Sequence, residues 1–108
     1  MQNGVPHNNN LDLLVERVAR WHYDRNLIDG STDQAQYVKL IEEAGELAGD
    51  IARGKDLADD IGDMIVVLIN IAERNGISIK ECLQCAWADI KDRKGKMIDG
   101  TFVKEADL

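Results

Sequence analysis

Asp60-Ile61-Gly62-Asp63-Met64-Ile65-Val66-Val67-Leu68-Ile69-Asn70-Ile71-Ala72 is the stretch that decides the fold. Its apolar side chains cover nearly the whole circumference of a helix, and a helix that is apolar all round must be buried all round. Two acids three residues apart, Asp60 and Asp63, open it on one face. This third helix is expected to start near Asp56 and to end before Asn75-Gly76, a helix-stop pair.

Working outward, three more helices are legible. Upstream, Ser31 or Thr32 offers an N-cap for a second helix lasting to Arg53, with Gly54 as its stop. Leu40, Ala44, Leu47 and Ile51 recur along it at helical spacing. Before it, Asn10 caps a first helix running to about Asn26, and Leu27 to Gly30 reads as a connector. Downstream, the capping box Ser78-Ile79-Lys80-Glu81 opens a fourth helix to about Lys94. The domain then spans 10–97, between a polar, Asn-rich arm at 1–9 and a tail at 98–108. In that tail Asp99-Gly100 reads as a turn and Phe102-Val103 as the apolar anchor.

The fold class is therefore all-α, a four-helix bundle-like protomer with a central antiparallel helix hairpin. Composition agrees, since one proline at Pro6 leaves helix uninterrupted and 5% aromatic residues suit a bundle better than a sandwich or barrel. The chain's 108 residues allow one modest core. Three short helices can hardly enclose the third, so its spare face is expected to pack on another subunit, in a homo-oligomer.

With 20 acidic and 13 basic residues the net charge is −7, which argues against duplex nucleic acid as a partner. A small phosphorylated substrate remains compatible, because a divalent metal reverses the local sign. No apolar run reaches membrane-spanning length and no secretory segment opens the chain. Cys82 and Cys85 make no disulfide framework, so a cytoplasmic location is expected.

The chemistry lies in Glu42-Glu43-Ala44-Gly45-Glu46, where Glu46 shares a helix face with Glu43 and Glu42. Reflection about the Gly54–Lys55 turn sets Glu46 level with Asp63, with Glu43 and Asp60 about one turn to either side. Acids at helical spacing usually form a solvated face. Here, however, Asp60 and Asp63 adjoin the most apolar segment, and the facing pair stands on the helix that the hairpin brings alongside. Four converging carboxylates need a cation, and oxygen-only ligation points to Mg²⁺ or Mn²⁺. A di-iron bundle would want Glu-x-x-His pairs, and none is present.

Lys39 to Leu47, followed by Asp60-Ile61-Gly62-Asp63, resembles the MazG-like, all-α nucleotide pyrophosphohydrolases, a family marked by E-E-x-x-E and then E-x-x-D. The resemblance covers roughly Leu11 to Lys94, with one departure: Asp60 stands where the family has glutamate. It implies Mg²⁺-dependent hydrolysis of a (deoxy)nucleoside triphosphate to monophosphate and pyrophosphate. Glu43, Glu46, Asp60 and Asp63 would be metal ligands, and Glu42 or Glu46 would orient or deprotonate the attacking water.

Supporting groups have two readings each. Lys39 either meets a substrate phosphate or pairs with Glu43 four residues on. Asn70 hydrogen-bonds a base or sugar, or a neighbouring helix. Lys91 and Lys94 hold phosphates, as relatives do in this region, or merely suit the end of a helix. Trp21 stacks on a base or belongs to the core, and Trp87 is assigned to the core. A single Cys-x-x-Cys pair lacks the ligands zinc needs, so both cysteines are expected at the core or interface. Competing functions are phosphoribosyl-ATP pyrophosphohydrolase and, from another class, a helical interaction module with a solvated acidic face.

Overall fold

The computed structural model describes residues 10–108; the expected N-terminal arm at 1–9 lies outside them. Helices α1 (Leu11–Asp24), α2 (Asp33–Ala52), α3 (Ala58–Arg74) and α4 (Ile79–Ile90) come in that order. Their starts are local chemistry. Asn10 Oδ1 accepts from Leu13 N at 3.2 Å, Thr32 Oγ1 from Ala35 N at 3.0 Å, and Ser78 Oγ from Glu81 N at 3.1 Å. Each satisfies a backbone donor that the first helical turn leaves without a partner. The stops are Gly54 and Gly76, both with positive φ.

Helix α3 is the hub: α2 packs along it as an antiparallel hairpin, while α1 and α4 lean on it separately. Its Val67, Ile69 and Ala72, with Ile28 of the α1–α2 connector, are the hydrophobic side chains that are buried among the described residues. The polar ties around them are specific. Asn70, wholly buried, donates through Nδ2 to Leu27 O at 2.9 Å, and the same Nδ2 lies 3.2 Å from His22 Nδ1. His22 Nε2 in turn donates to Val66 O at 2.9 Å. Near the C-terminus of α3, Arg74 Nε meets Asp33 Oδ1 at 2.9 Å, and its Nη1 donates to Ile28 O. This clamp fixes how α2 leaves the connector.

Two expectations about the C-terminal part change. Helix α4 ends at Ile90 rather than near Lys94, and the chain then forms a β-hairpin of β1 (Gly95–Ile98) and β2 (Thr101–Lys104). Asp99-Gly100 is its turn, with φ of 50° and 82°, the two positive values that match a two-residue turn to strand twist. Gly95 is required for another reason, because a Cβ there would stand 2.1 Å from Val103 O across the ladder. Phe102, expected as the tail's apolar anchor, is 46% exposed and lies over Gly95 of its own hairpin rather than in the helical core.

Trp87 is also not in the core. No residue of α4 is buried, and Leu83, Trp87 and Ile90 stand open at 68%, 60% and 47%. The cause is architectural: α4 packs mainly on α3, with a tie to α1 through Lys80 Nζ and Asp12 Oδ2 at 3.6 Å, and its outer face is left uncovered among the described residues. Ile61, Ile65 and Leu68 of α3 are likewise exposed. An apolar groove of about 710 Å³ runs between α1, α3 and α4, lined by Leu11, Val15, Ile65, Leu68, Ile79 and Leu83 among others. Cys82 lies at this groove, half-buried, and Cys85 is exposed.

Candidate active site

The α2–α3 hairpin brings carboxylates into register. Ligand oxygens of Glu43, Glu46 and Asp63 all lie within 4.8 Å of one another. Glu43 is buried, Asp63 half-buried and Glu46 exposed, so the group forms a shallow basin with a sheltered floor. Glu43 Oε1 receives Lys39 Nζ at 3.2 Å, whereas Glu43 Oε2 is buried without a hydrogen-bond partner. A buried carboxylate oxygen lacking a donor is costly and invites a cation.

Crowding shows in the titration of these groups. The charge of Glu43 is the main cause that raises Glu46 above the ordinary glutamate range, with burial and a hydrogen bond to Glu43 adding to it. Asp63 is raised chiefly by burial, then by the charges of Asp59 and Glu43. The Glu46 shift means that negative charge has gathered there without a matching positive charge, and the Asp63 shift that burial opposes its charged form. Lys39 is raised by its bond to Glu43 and by the charges of Glu43, Glu42 and Glu46.

Asp60 stands apart from this trio. It is buried (7% exposed) on the turn side of Asp63, and its near neighbour is Asp50 of α2, a residue outside the E-E-x-x-E motif. A hydrogen bond with the Asp50 carboxyl, then burial and the charges of Asp50, Glu46 and Asp59, push Asp60 up to about 6. The same bond, with Arg53, lowers Asp50.

The other expected site residues are scattered. Glu42 is exposed, 3.8 Å from Lys39 Nζ. Lys39 takes up the helix-face pairing with Glu43 that its spacing implies. Asn70 bonds a neighbouring helix and the connector, and its complete burial keeps it from any ligand in this conformation. Trp21, 45% exposed, lies under the Arg25 guanidinium at 4.3 Å and edge-on to His22. Lys91 and Lys94 lie exposed between α4 and β1, and among the described residues no ion pair joins them to the carboxylates.

Known proteins share this arrangement of sequence. The model of the MazG nucleotide pyrophosphohydrolase domain matches residues 31–98, from the cap of α2 through β1. The chain belongs to the MazG family. A relative from Haemophilus phage HP1 (strain HP1c1), an uncharacterized 18.2 kDa protein of the rep-hol intergenic region, is 42% identical over 69 residues. That alignment takes in 62% of this chain and 42% of the phage protein, so the chain spans less than half of its relative. No solved structure matches. The MazG match includes every carboxylate of the basin and also Asp50 and Asp60, and it leaves α1 outside. The family takes its description from nucleotide pyrophosphohydrolysis.

Proposed function

We propose that the chain hydrolyses a (deoxy)nucleoside triphosphate to the monophosphate and pyrophosphate, assisted by Mg²⁺ or Mn²⁺. The observation that carries this reading is the Glu43–Glu46–Asp63 basin with its buried, unpartnered Glu43 oxygen. Three carboxylates face one ammonium, Lys39, and the two charges left over equal the valence of such an ion. All donors are carboxylate oxygens, which suits a hard cation. When bound, the ion would offset phosphate charge and acidify a water.

The chain's own groups supply the rest. Glu43, anchored by burial and by Lys39, would serve as the fixed ligand. Glu46 and Asp63 would complete the set from the two sides of the hairpin. The exposed Glu46, or Glu42 beside it, is the group free to orient the attacking water or take its proton. Lys39, half-exposed at the basin's edge, is able to release Glu43 and meet a phosphate. Lys91, Lys94 and Trp21 would contribute only if a second copy or a closure brought them in. With Mg²⁺, a nucleotide panel should yield NMP and pyrophosphate from at least one (d)NTP. Orthophosphate with NDP as the sole products would overturn the regiochemistry, and no turnover across the panel would favour an interaction module.

We also propose a homo-oligomer. Leu83, Trp87 and Ile90 of α4 and Ile61, Ile65 and Leu68 of α3 are exposed among the described residues, and a stable interface covers roughly 800 Å² per partner. Leaving Leu83, Trp87 and Ile90 in water forgoes about 1.5–3 kcal/mol for each side chain that could be buried. Light scattering should therefore report a dimer or tetramer. A stable monomer at micromolar concentration would remove this part of the proposal.

A further inference from the structure

Cys82 and Cys85 are the chain's two cysteines, and neither the buried core nor the carboxylate basin includes them. Both stand in α4, three residues apart and hence neighbours on one side of the helix. Cys82 is half-buried in the wall of the apolar groove, whereas Cys85 is exposed. Among the described residues no third ligand-bearing side chain gathers with them, and zinc would need more than two. Cys85 lies roughly 140–160° around the helix from Leu83, Trp87 and Ile90. A partner covering that apolar stripe would therefore leave its thiol in water.

Helix geometry sets how near the two thiols are to bonding. Cα atoms three residues apart on an α-helix lie about 5 Å from each other, inside the roughly 4.4–6.8 Å that a disulfide spans. Their Cβ atoms, at about 5–6 Å, must draw in to roughly 3.5–4.5 Å. A turn of 3₁₀ helix does this, because three residues per turn bring i and i+3 into line. Helix α4 is the element best able to yield. It has 12 residues, a length that is marginal for a helix in water, and none of them is buried. It packs mainly on α3, with Lys80 tied to Asp12 at 3.6 Å. We propose that Cys82 and Cys85 form a reversible dithiol–disulfide site, closed by a small-molecule disulfide, that tightens α4 and loosens it from α3. The site is independent of the hydrolase reading. The exposed Cys85 thiolate attacks one sulfur of the oxidant and expels the other as a thiolate. Cys82 then attacks the Cys85 sulfur of the mixed disulfide and expels the second thiolate. Two protein thiols are oxidised, one small disulfide is reduced to two thiols, and the two protons pass to the leaving groups. Tightening three residues into 3₁₀ form turns Trp87, Ile90 and the hairpin by about 60° relative to Ile79. Strain held in such a bond keeps it easily reduced, as in labile regulatory disulfides.

The test reads mass and hydrogen exchange rather than turnover. Full-length protein is reduced, freed of reductant and incubated with glutathione disulfide, and its intact mass is recorded. Wild type should lose two hydrogens per chain without linking chains, and dithiothreitol should restore them. Cys82→Ser should stop at a glutathione adduct on Cys85, because the resolving thiol is gone. Cys85→Ser, left with the half-buried thiol, should react more slowly than Cys82→Ser. In oxidised wild type the amides of residues 79–90 should exchange at least about tenfold faster, since a bond drawn off its preferred geometry stores several kcal/mol. Those of α2 should keep their reduced-state rates. Two glutathione adducts per chain, a bond between chains, or thiols that stay reduced would each overturn the site. An intrachain disulfide that leaves exchange in α4 unchanged would overturn the tightening.

Discussion

Glu46→Gln and Asp63→Asn should each lower pyrophosphate release by at least about a hundredfold, since loss of groups merely supporting a metal ligand costs 10- to 100-fold. Each change removes one charge and nearly conserves volume, so the helices should form as before. The basin predicts more than loss. In the metal-free protein Glu46 is raised mainly by the charge of Glu43, which is the signature of mutual repulsion. Glu46→Gln relieves it, so the ion-free variant should melt no lower than wild type and gain less from added Mg²⁺. Activity falling while ion-free stability holds or rises distinguishes a site residue from a structural one. Wild-type turnover in the double variant Glu46→Gln with Asp63→Asn would overturn the assignment.

What could be read from the residues divides by range. The caps at Asn10, Thr32 and Ser78 and the stops at Gly54 and Gly76 are legible because each depends on a few neighbouring atoms. The Glu46–Asp63 register is also legible, since a short loop between two helices fixes which residues face each other. The same reflection about Gly54–Lys55 puts Asp50 opposite Asp59 and Asp60. Asp50 falls outside the E-E-x-x-E pattern, so a motif misses it, although the geometry that picks Glu46 also picks Asp50. The β-hairpin is signalled by Asp99-Gly100 between Met97-Ile98 and Phe102-Val103. Strands of four residues with both faces exposed show little of the burial alternation that usually reveals a strand. Trp87 misleads for another reason: its aromatic bulk predicts burial, yet it stands 60% exposed on a helix that packs mainly against α3.

Asn70 is legible as an amide in need of partners, a neighbouring helix among them, but which partners is not, because they are far away in sequence, and it carries the largest expected effect on stability. Its Nδ2 has two hydrogens. One goes to Leu27 O at 2.9 Å and the other points to His22 Nδ1 at 3.2 Å. His22 must then carry its own proton on Nε2, where it donates to Val66 O. One buried amide thus sets the tautomer of a buried imidazole and ties α1, the connector and α3 together. Asn70→Ala orphans the Leu27 carbonyl and the His22 nitrogen, at about 1–3 kcal/mol for each buried group left unsatisfied. Part of that is returned, because Asn70 Oδ1 has no partner in the folded chain and its own penalty disappears with it. The balance should be a loss of about 1–3 kcal/mol, a sizeable share of the roughly 5–15 kcal/mol that holds a domain of this size together. Asn70→Asp should be worse, since it turns the donor into an acceptor facing two acceptors and adds a charge to a dry site. Urea unfolding of the two variants and wild type checks this order. An Asn70→Ala protein within about 0.5 kcal/mol of wild type, the range of ordinary surface changes, would show that the amide is not what joins these elements.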